Sequence, residues 1–322
     1  MALAFGMLGV VSCGSKSAKG SSATKALADI APTELHTVAT GTSNVTPAPG
    51  TIFICPVDLP TPSGPVRFPT TYTAASTPWA SNGLIDIAKI ATVPGAVKLE
   101  HRFTITTTAT ERHLEGNGIP NHAIGTFPIP ADSAAYPYYA ALPADGYANA
   151  AEIPVLPYDL DLTIPKNPEV NATPTCLNSL ITGVSSQTGA AWHAEVAPDS
   201  QGRIFDPNAA LPTDRCFGHP YAQQYHYHGW SYKCMPDQGK AGEQSPLFGY
   251  AIDGFGIYGP LDGHGKWITN AQLDECHGLT SKIPWDGKVV KMYHYVINNE
   301  FPYSVGCFRG TPGTESHVMT HF

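Results

Sequence analysis

A chain of 322 residues with a formal charge of −8 and only 14% charged side chains lacks the basic cluster that a nucleic-acid binder needs to neutralise phosphates. Its 31 glycines and 30 prolines leave little room for long helices. Val, Ile, Thr, Tyr and Phe sit in runs bounded by Gly, Pro, Asn and Asp, which predicts a mainly β chain of short strands and turns with few short helices.

The first element is an apolar run over residues 2–11, ALAFGMLGVV. It is too short to span a bilayer as a helix and has the length of a signal-peptide core. It ends in Val10-Val11-Ser12-Cys13, which resembles a bacterial lipobox, although no Lys or Arg precedes the run. The expectation is a signal peptide over residues 1–12 and a lipidated Cys13 that anchors an exported protein to a membrane of the bacterial cell envelope, with plain secretion as the other outcome. Residues 13–50 are rich in Ser, Thr, Ala, Gly and Pro and read as a flexible tether, with His36 inside it. A single folded domain is then expected over 51–322, β-sandwich-like or irregular.

Within that domain, LEHRFTITTTATERHLEG at 99–116 alternates across Phe103, Ile105 and Thr107 and predicts strands. The proline-rich stretch 127–160 predicts a looped or extended path. LFGYAIDGFGIYGP at 247–260 reads as strand, tight turn, strand. TNAQLDECHG at 269–278 reads as a short helix with Thr269 or Asn270 as N-cap and Gly278 as stop. VVKMYHYVIN at 289–298 reads as a strand.

Apart from Cys13, six cysteines remain, an even number as expected for disulfides in an oxidising compartment. Six cysteines allow 15 pairings. Local spacing favours Cys216 with Cys234 and Cys276 with Cys307, leaving Cys55 with Cys176. No CxxC spacing points to a thiolate zinc site or a thioredoxin-type motif.

QQYHYHGWSY at 223–232 carries the chemistry. In a strand, residues two apart share a face, so His226 and His228 point one way and Tyr225 and Tyr227 the other. Neutral imidazoles are good ligands for copper and zinc. His294, in the partial echo MYHYVIN at 292–298, and His122, in the loop GNGIPNHAIGTFP, complete the expected ligand set. The tyrosine face is expected to be structural. His219, beside Pro220, reads as a turn residue. His193, His264, His277, His317 and His321 are weaker candidates, and His101 and His113 have plain roles in strand-like segments.

Asp253, Asp262, Asp274 and Glu275 lie in glycine-containing loops, where hard oxygen ligands could hold calcium, a less favoured cofactor, or cap turns. There is no G-x-S-x-G elbow, phosphate loop, dinucleotide fingerprint or H-E-x-x-H.

The blocks GHPYAQQYHYHGW, LFGYAIDGFGIYGP, LDECHG and YHYVINNEFPYSVGCFRG, preceded by GNGIPNHAIGTFP and GRIFDP, together resemble the YHYH domain family over roughly residues 100–311. The resemblance implies a secreted or surface protein and attaches little mechanism. It falls on Tyr225, His226, Tyr227 and His228, then on Asp253, Gly254 and Tyr258. It continues on Asp274, Glu275 and Cys276, and closes on His294, Phe301, Pro302, Tyr303, Cys307 and Arg309. The second Tyr-His-Tyr is followed by Val296, so that copy lacks its second histidine.

The expectation is a cell-envelope lipoprotein that binds copper, or failing that zinc, through His122, His226, His228 and His294, for sequestration, delivery or structure. Tyr225, Tyr227, Asp253, Tyr258, Asp274 and Glu275 are the supporting or alternative residues. An open coordination position would instead suit a secreted oxidase, or a hydrolase with Asp253 or Glu275 as base. A surface module using Trp230, Tyr232 and Trp267 to contact glycan or protein, without metal, is the third reading.

Overall fold

The computed structural model describes residues 25–37, 46–55, 58–61, 64–67, 77–140, 153–198 and 204–316. The expected signal peptide and Cys13 lie outside these residues. No helix among them is long and apolar enough to cross a membrane. The chain is mainly β, and the α-helical pieces among the described residues are single turns at Tyr136–Ala140 and Pro207–Ala210. The first of these interrupts the otherwise irregular path expected after residue 127.

An eight-stranded sheet organises the fold. Its strands are β1 (Ile181–Ser185), β2 (Ala191–His193), β3 (Gly218–Tyr221), β4 (Gln224–Tyr227), β5 (Leu247–Ala251), β6 (Gly256–Tyr258), β7 (Gly278–Trp285) and β8 (Lys288–Val296). Their order across the sheet is β3-β4-β2-β1-β5-β6-β8-β7. Strands β1, β2, β4 and β6 are buried along their whole length, so the middle of the sheet is covered on both faces. The β7 edge keeps a one-sided alternation, and Pro284 sits within it. A proline is tolerated there because an edge strand does not need every N–H for pairing.

The order is a palindrome, and the register makes it a repeat. In each half a hairpin (β1–β2 or β5–β6) precedes a second hairpin (β3–β4 or β7–β8), whose last strand pairs parallel to the second strand of the first. The halves meet antiparallel at β1 and β5, with Val184 opposite Tyr250, Gly183 opposite Ala251 and Ser185 opposite Gly249. That pairing is what a two-fold through Val184 and Tyr250 requires. A Cβ on Gly183 would lie 2.7 Å from the Tyr250 carbonyl oxygen, and one on Gly249 would lie 2.2 Å from that of Val184. The close approach of β1 and β5 therefore needs glycine at both related positions.

Each second hairpin is entered through the same turn. Asp214 Oδ1 accepts the N–H groups of Cys216 (2.8 Å) and Gly218 (3.1 Å), and Asp274 Oδ1 accepts those of Cys276 and Gly278 (both 3.0 Å). The intervening Phe217 and His277 both have positive φ, 62° and 70°. The hydroxyls of Tyr225 and Tyr293 donate to these same aspartates at 3.0 Å. Both hairpins reverse through two residues with positive φ, Ala222-Gln223 and Asp286-Gly287, as two-residue primed turns require.

The turn at Asp274 explains why TNAQLDECHG is not the expected helix. Only Asn270–Gln272 forms a 3-10 turn, with the Thr269 N–H bonded to Gln272 Oε1 at 3.0 Å. Gly278 starts β7 instead of stopping a helix.

Strands Phe103–Thr107, Glu111–Gly116, Leu160–Pro165 and Thr314–Ser316 form a four-stranded antiparallel sheet. A three-stranded sheet uses Glu34–His36, Ala80–Ser81 and Leu84–Asp86. This corrects the tether. Leu27 and Leu35 are fully buried, and the His36 N–H bonds the Asn299 carbonyl at 2.8 Å, so residues 25–37 pack onto the domain expected to begin at 51. Two apolar side chains in a Ser- and Ala-rich stretch suffice, because their partners lie far off in the chain, at 84–86 and at 240 and 300. The disulfides are Cys55–Cys176, Cys216–Cys234 and Cys276–Cys307.

Candidate metal centre

Strand β4 supplies His226, and His228 follows it. The two-residue turn at Ala222-Gln223 sets His219 of β3 directly opposite His226. Parallel pairing places Ala191 of β2 beside His226, and His193, two residues on and so on the same face, stacks its ring on that of His226, with centroids 3.6 Å apart and planes 8° apart. The His219 ring lies 4.7 Å from His226 and 5.0 Å from His228. All four histidines are at most 3% exposed.

One ring nitrogen from each of His219, His226 and His228 lies within 4.8 Å of the others. Some point is therefore within about 2.8 Å of all three, against metal–nitrogen bonds near 2 Å. The Nε2 atoms of His226 and His228 are 3.0 Å apart.

Proton placement decides what these nitrogens offer. His226 Nδ1 faces the Gln224 carbonyl at 3.1 Å, and His228 Nδ1 faces Glu195 Oε2 at 3.2 Å. The Gln224 carbonyl calls for an N–H at His226 Nδ1, and Glu195 when ionised calls for one at His228 Nδ1. Tyr139 gives its hydroxyl proton to the Pro212 carbonyl at 2.6 Å, so its contact with His219 Nδ1 also calls for an N–H there. Each neutral ring then carries its lone pair on Nε2. The Nε2 atoms of His219 and His193 are buried without a hydrogen-bond partner.

Burial favours neutral rings. It holds His228 down at about 3. Burial, and then the neighbouring histidines, hold His193, His219 and His226 well below the usual value. The cluster is a buried group of converging imidazole nitrogens.

Two carboxylates lie behind it. Glu195 accepts the Gly229 N–H at 2.6 Å and Asn208 Nδ2 at 2.9 Å, besides facing His228. Asp206 accepts from Thr37, from the Tyr303 hydroxyl at 2.6 Å and from the Asn208 N–H at 2.9 Å. Burial, and then Asp206, push the Glu195 pKa well above the ordinary range, and burial raises that of Asp206.

The alternation of β4 places its side chains as expected. Tyr225 and Tyr227 point away from the histidines, and the Tyr227 hydroxyl donates to Thr188 Oγ1 at 3.0 Å. Two expected ligands are elsewhere. His122 lies on the tyrosine side, with Nε2 2.5 Å from the Tyr227 hydroxyl and Nδ1 3.4 Å from Cys216 Sγ. His294 is on β8, with four strands between β8 and β4. At about 4.8 Å per strand, that is roughly 24 Å away. Its place near the site is taken by His219, whose hairpin turn lacks the Asn-Gly or Asp-Gly signature that would have revealed the register. His193 and Glu195 are set by parallel pairing, for which local sequence has no signal.

The remaining expected residues have internal roles. Asp253 accepts the Tyr295 hydroxyl (2.6 Å) and the Gly310 N–H (2.9 Å). Asp274 caps its turn, and Glu275 meets Arg309 Nη1 at 3.0 Å. Asp262 accepts the N–H groups of His264 (2.8 Å) and Lys266 (2.9 Å). The Tyr258 hydroxyl donates to the Pro284 carbonyl. Trp230 and Tyr232 are buried and stacked at 4.1 Å, and the half-buried Trp267 lies edge-on to Trp230.

His294 carries a pH prediction. Burial holds its pKa at about 4. An unfolded histidine titrates near 6.5, so between these values the unfolded chain binds more protons. This ring's effect on stability is therefore level above pH 6.5 and grows unfavourable down to pH 4. The loss reaches about 3 kcal/mol at 1.36 kcal/mol per pKa unit. Denaturant titrations at pH 7 and pH 4 should show the wild type losing that much more than His294→Gln; equal losses would clear this ring.

Residues 161–267 match the family model described as YHYH protein, a span that runs from the Leu160–Pro165 strand through both central hairpins and the histidine cluster. No curated protein and no solved structure matches the chain.

Proposed function

Taking as premise that residues 161–267 are a YHYH domain, we propose that it binds one divalent transition-metal ion, copper or zinc, through His219, His226 and His228. The observation that supports this best is the facing pair of Nε2 atoms 3.0 Å apart, each on a ring whose Nδ1 is committed as a donor. Two lone pairs at that distance repel unless a cation lies against them or one ring moves its proton from Nδ1 to Nε2 and donates it to the other. That neutral alternative gives up the N–H toward the Gln224 carbonyl, or needs Glu195 protonated to donate to His228 Nδ1, and burial opposes a charged imidazolium. Backing of each Nδ1 by a carbonyl, a carboxylate or a hydroxyl is the arrangement that orients metal-binding histidines. The orphan Nε2 of His193 makes it the reserve fourth ligand. Glu195 and Asp206 offset the ion's charge when ionised.

The exposure of at most 3% across these histidines favours a closed site for sequestration or structure over an open catalytic one. Three disulfides suit an exported protein. Lipidation of Cys13 and anchoring to the cell envelope belong to this proposal as well.

Elemental analysis of the purified full chain should find one equivalent of copper or zinc. His226→Ala/His228→Ala should abolish it, while His122→Ala and His294→Ala retain it. Metal-free wild type, or unchanged metal in the double variant, overturns the reading.

A further inference from the structure

The repeat within the eight-stranded sheet allows each ligand position to be located in the second half. His226 follows Tyr225 as His294 follows Tyr293, and both tyrosines bond the turn aspartate. His219 pairs with His226 as Leu279 pairs with His294. His228 follows Tyr227 as Val296 follows Tyr295. On the parallel neighbour, Trp192 pairs with Tyr227 as Ile257 pairs with Tyr295, so the next residues, His193 and Tyr258, correspond. Their ring contacts agree: His193 lies on His226, and Tyr258 meets His294 edge-on at 5.2 Å.

We infer that the β5–β8 half is a second copy of the metal cradle, complete in backbone and stripped of three of its four imidazoles at Tyr258, Leu279 and Val296. The inference rests on the metal reading of the first half for the word metal, and on register alone for the correspondence. The backbone is retained in detail. The Asp-x-Cys-x-Gly turn, its disulfide cysteine, the positive-φ residue before the glycine and the tyrosine–aspartate bond recur in both halves. What differs is the lining. Leucine and valine cannot ligate, and the Tyr258 hydroxyl is committed to Pro284. The His294 ring has one long hydrogen bond, 3.4 Å from Nδ1 to the Met292 carbonyl. Leu279 is only partly buried, where His219 is 1% exposed, so the second cradle is also the more open one.

The inference predicts that ligands can be put back. Leu279→His restores the cross-strand pair with His294, and Tyr258→His/Leu279→His/Val296→His restores the set. Each full-length variant is dialysed against Cu(II) or Zn(II), and its metal content is compared with that of the parent chain. The expected result is one additional equivalent in the triple variant, held more weakly than the first because Glu195 has no counterpart: Pro260 occupies its position. A folded triple variant with no additional metal overturns the inference. If the triple variant does not fold, Leu279→His alone decides, by gaining or failing to gain a copper equivalent over its parent. The difference between variant and parent tests the second cradle. The parent's own content tests the first site, so the two ideas fail separately.

Discussion

If the proposed site holds an ion, a strong chelator lowers the thermal midpoint of the wild-type protein by about 8–16 °C and leaves His226→Ala/His228→Ala unmoved. The size follows from linkage. An ion that binds only the folded state at a free concentration near 1,000 times its Kd stabilises by about 4 kcal/mol. Each kcal/mol moves the midpoint of a chain of roughly this size by about 2–4 °C. The sign follows from the site. Without a cation, either the Nε2 lone pairs of His226 and His228 face each other at 3.0 Å or one ring gives up its Nδ1–H to bond the other, and His219 Nε2 is buried without a partner. Unsatisfied buried groups cost about 1–3 kcal/mol each. The double variant removes the facing pair, so it has no ion to lose. Differential scanning calorimetry with and without chelator measures both, and an unchanged midpoint in the wild type would exclude a stabilising ion.

Glu195→Gln weakens metal binding by about 10–100-fold, the usual effect of altering a partner that orients a ligand, and leaves the metal-free protein at least as stable. The two effects have separate causes. Gln keeps one oxygen for the Gly229 N–H, and its amide NH2 takes the place of the Oε2 that faced His228 Nδ1 and Asn208 Nδ2. Nδ1 must then accept, and the His228 proton moves to Nε2, where it bonds His226 Nε2 and blocks a metal. Gln also lacks the negative charge that offsets the ion. In the metal-free state that charge is a burden, because burial and the nearby Asp206 both disfavour it. Chelator competition gives the affinity, and denaturant unfolding of the stripped protein gives the stability. A loss of both together would make Glu195 a packing residue only. An unchanged Kd would remove it from the site.

How much could be read in advance depends on the range of the interaction involved. The alternation Tyr225-His226-Tyr227-His228 assigns opposite faces because the period of a strand is two, and this is a local property. The hairpin at 247–260 carries its turn in Asp253-Gly254 and is legible as a whole, and the one at 278–296 carries Asp286-Gly287 but only its second strand is legible. The β3–β4 hairpin reverses through Ala222-Gln223, residues with no strong preference for positive φ, so His219 read as a turn residue when it is a strand residue facing His226. Residues 25–37 read as tether because two buried leucines make no periodic pattern.

The sequence by itself determined a mainly β chain, three disulfides from six cysteines, and a histidine face back to back with a tyrosine face. Each of these follows from composition, count or period. Only the tertiary structure decided which histidines share that face. It brought in His219 through a hairpin register, and His193 and Glu195 through a parallel neighbour reached by a long connection. It also removed His294 by placing four strands between. Strand order is settled by pairing between segments far apart in the chain, and a Tyr-His-Tyr at 293–295 has the same local pattern as one at 225–227 whether it completes the first cradle or lines a second.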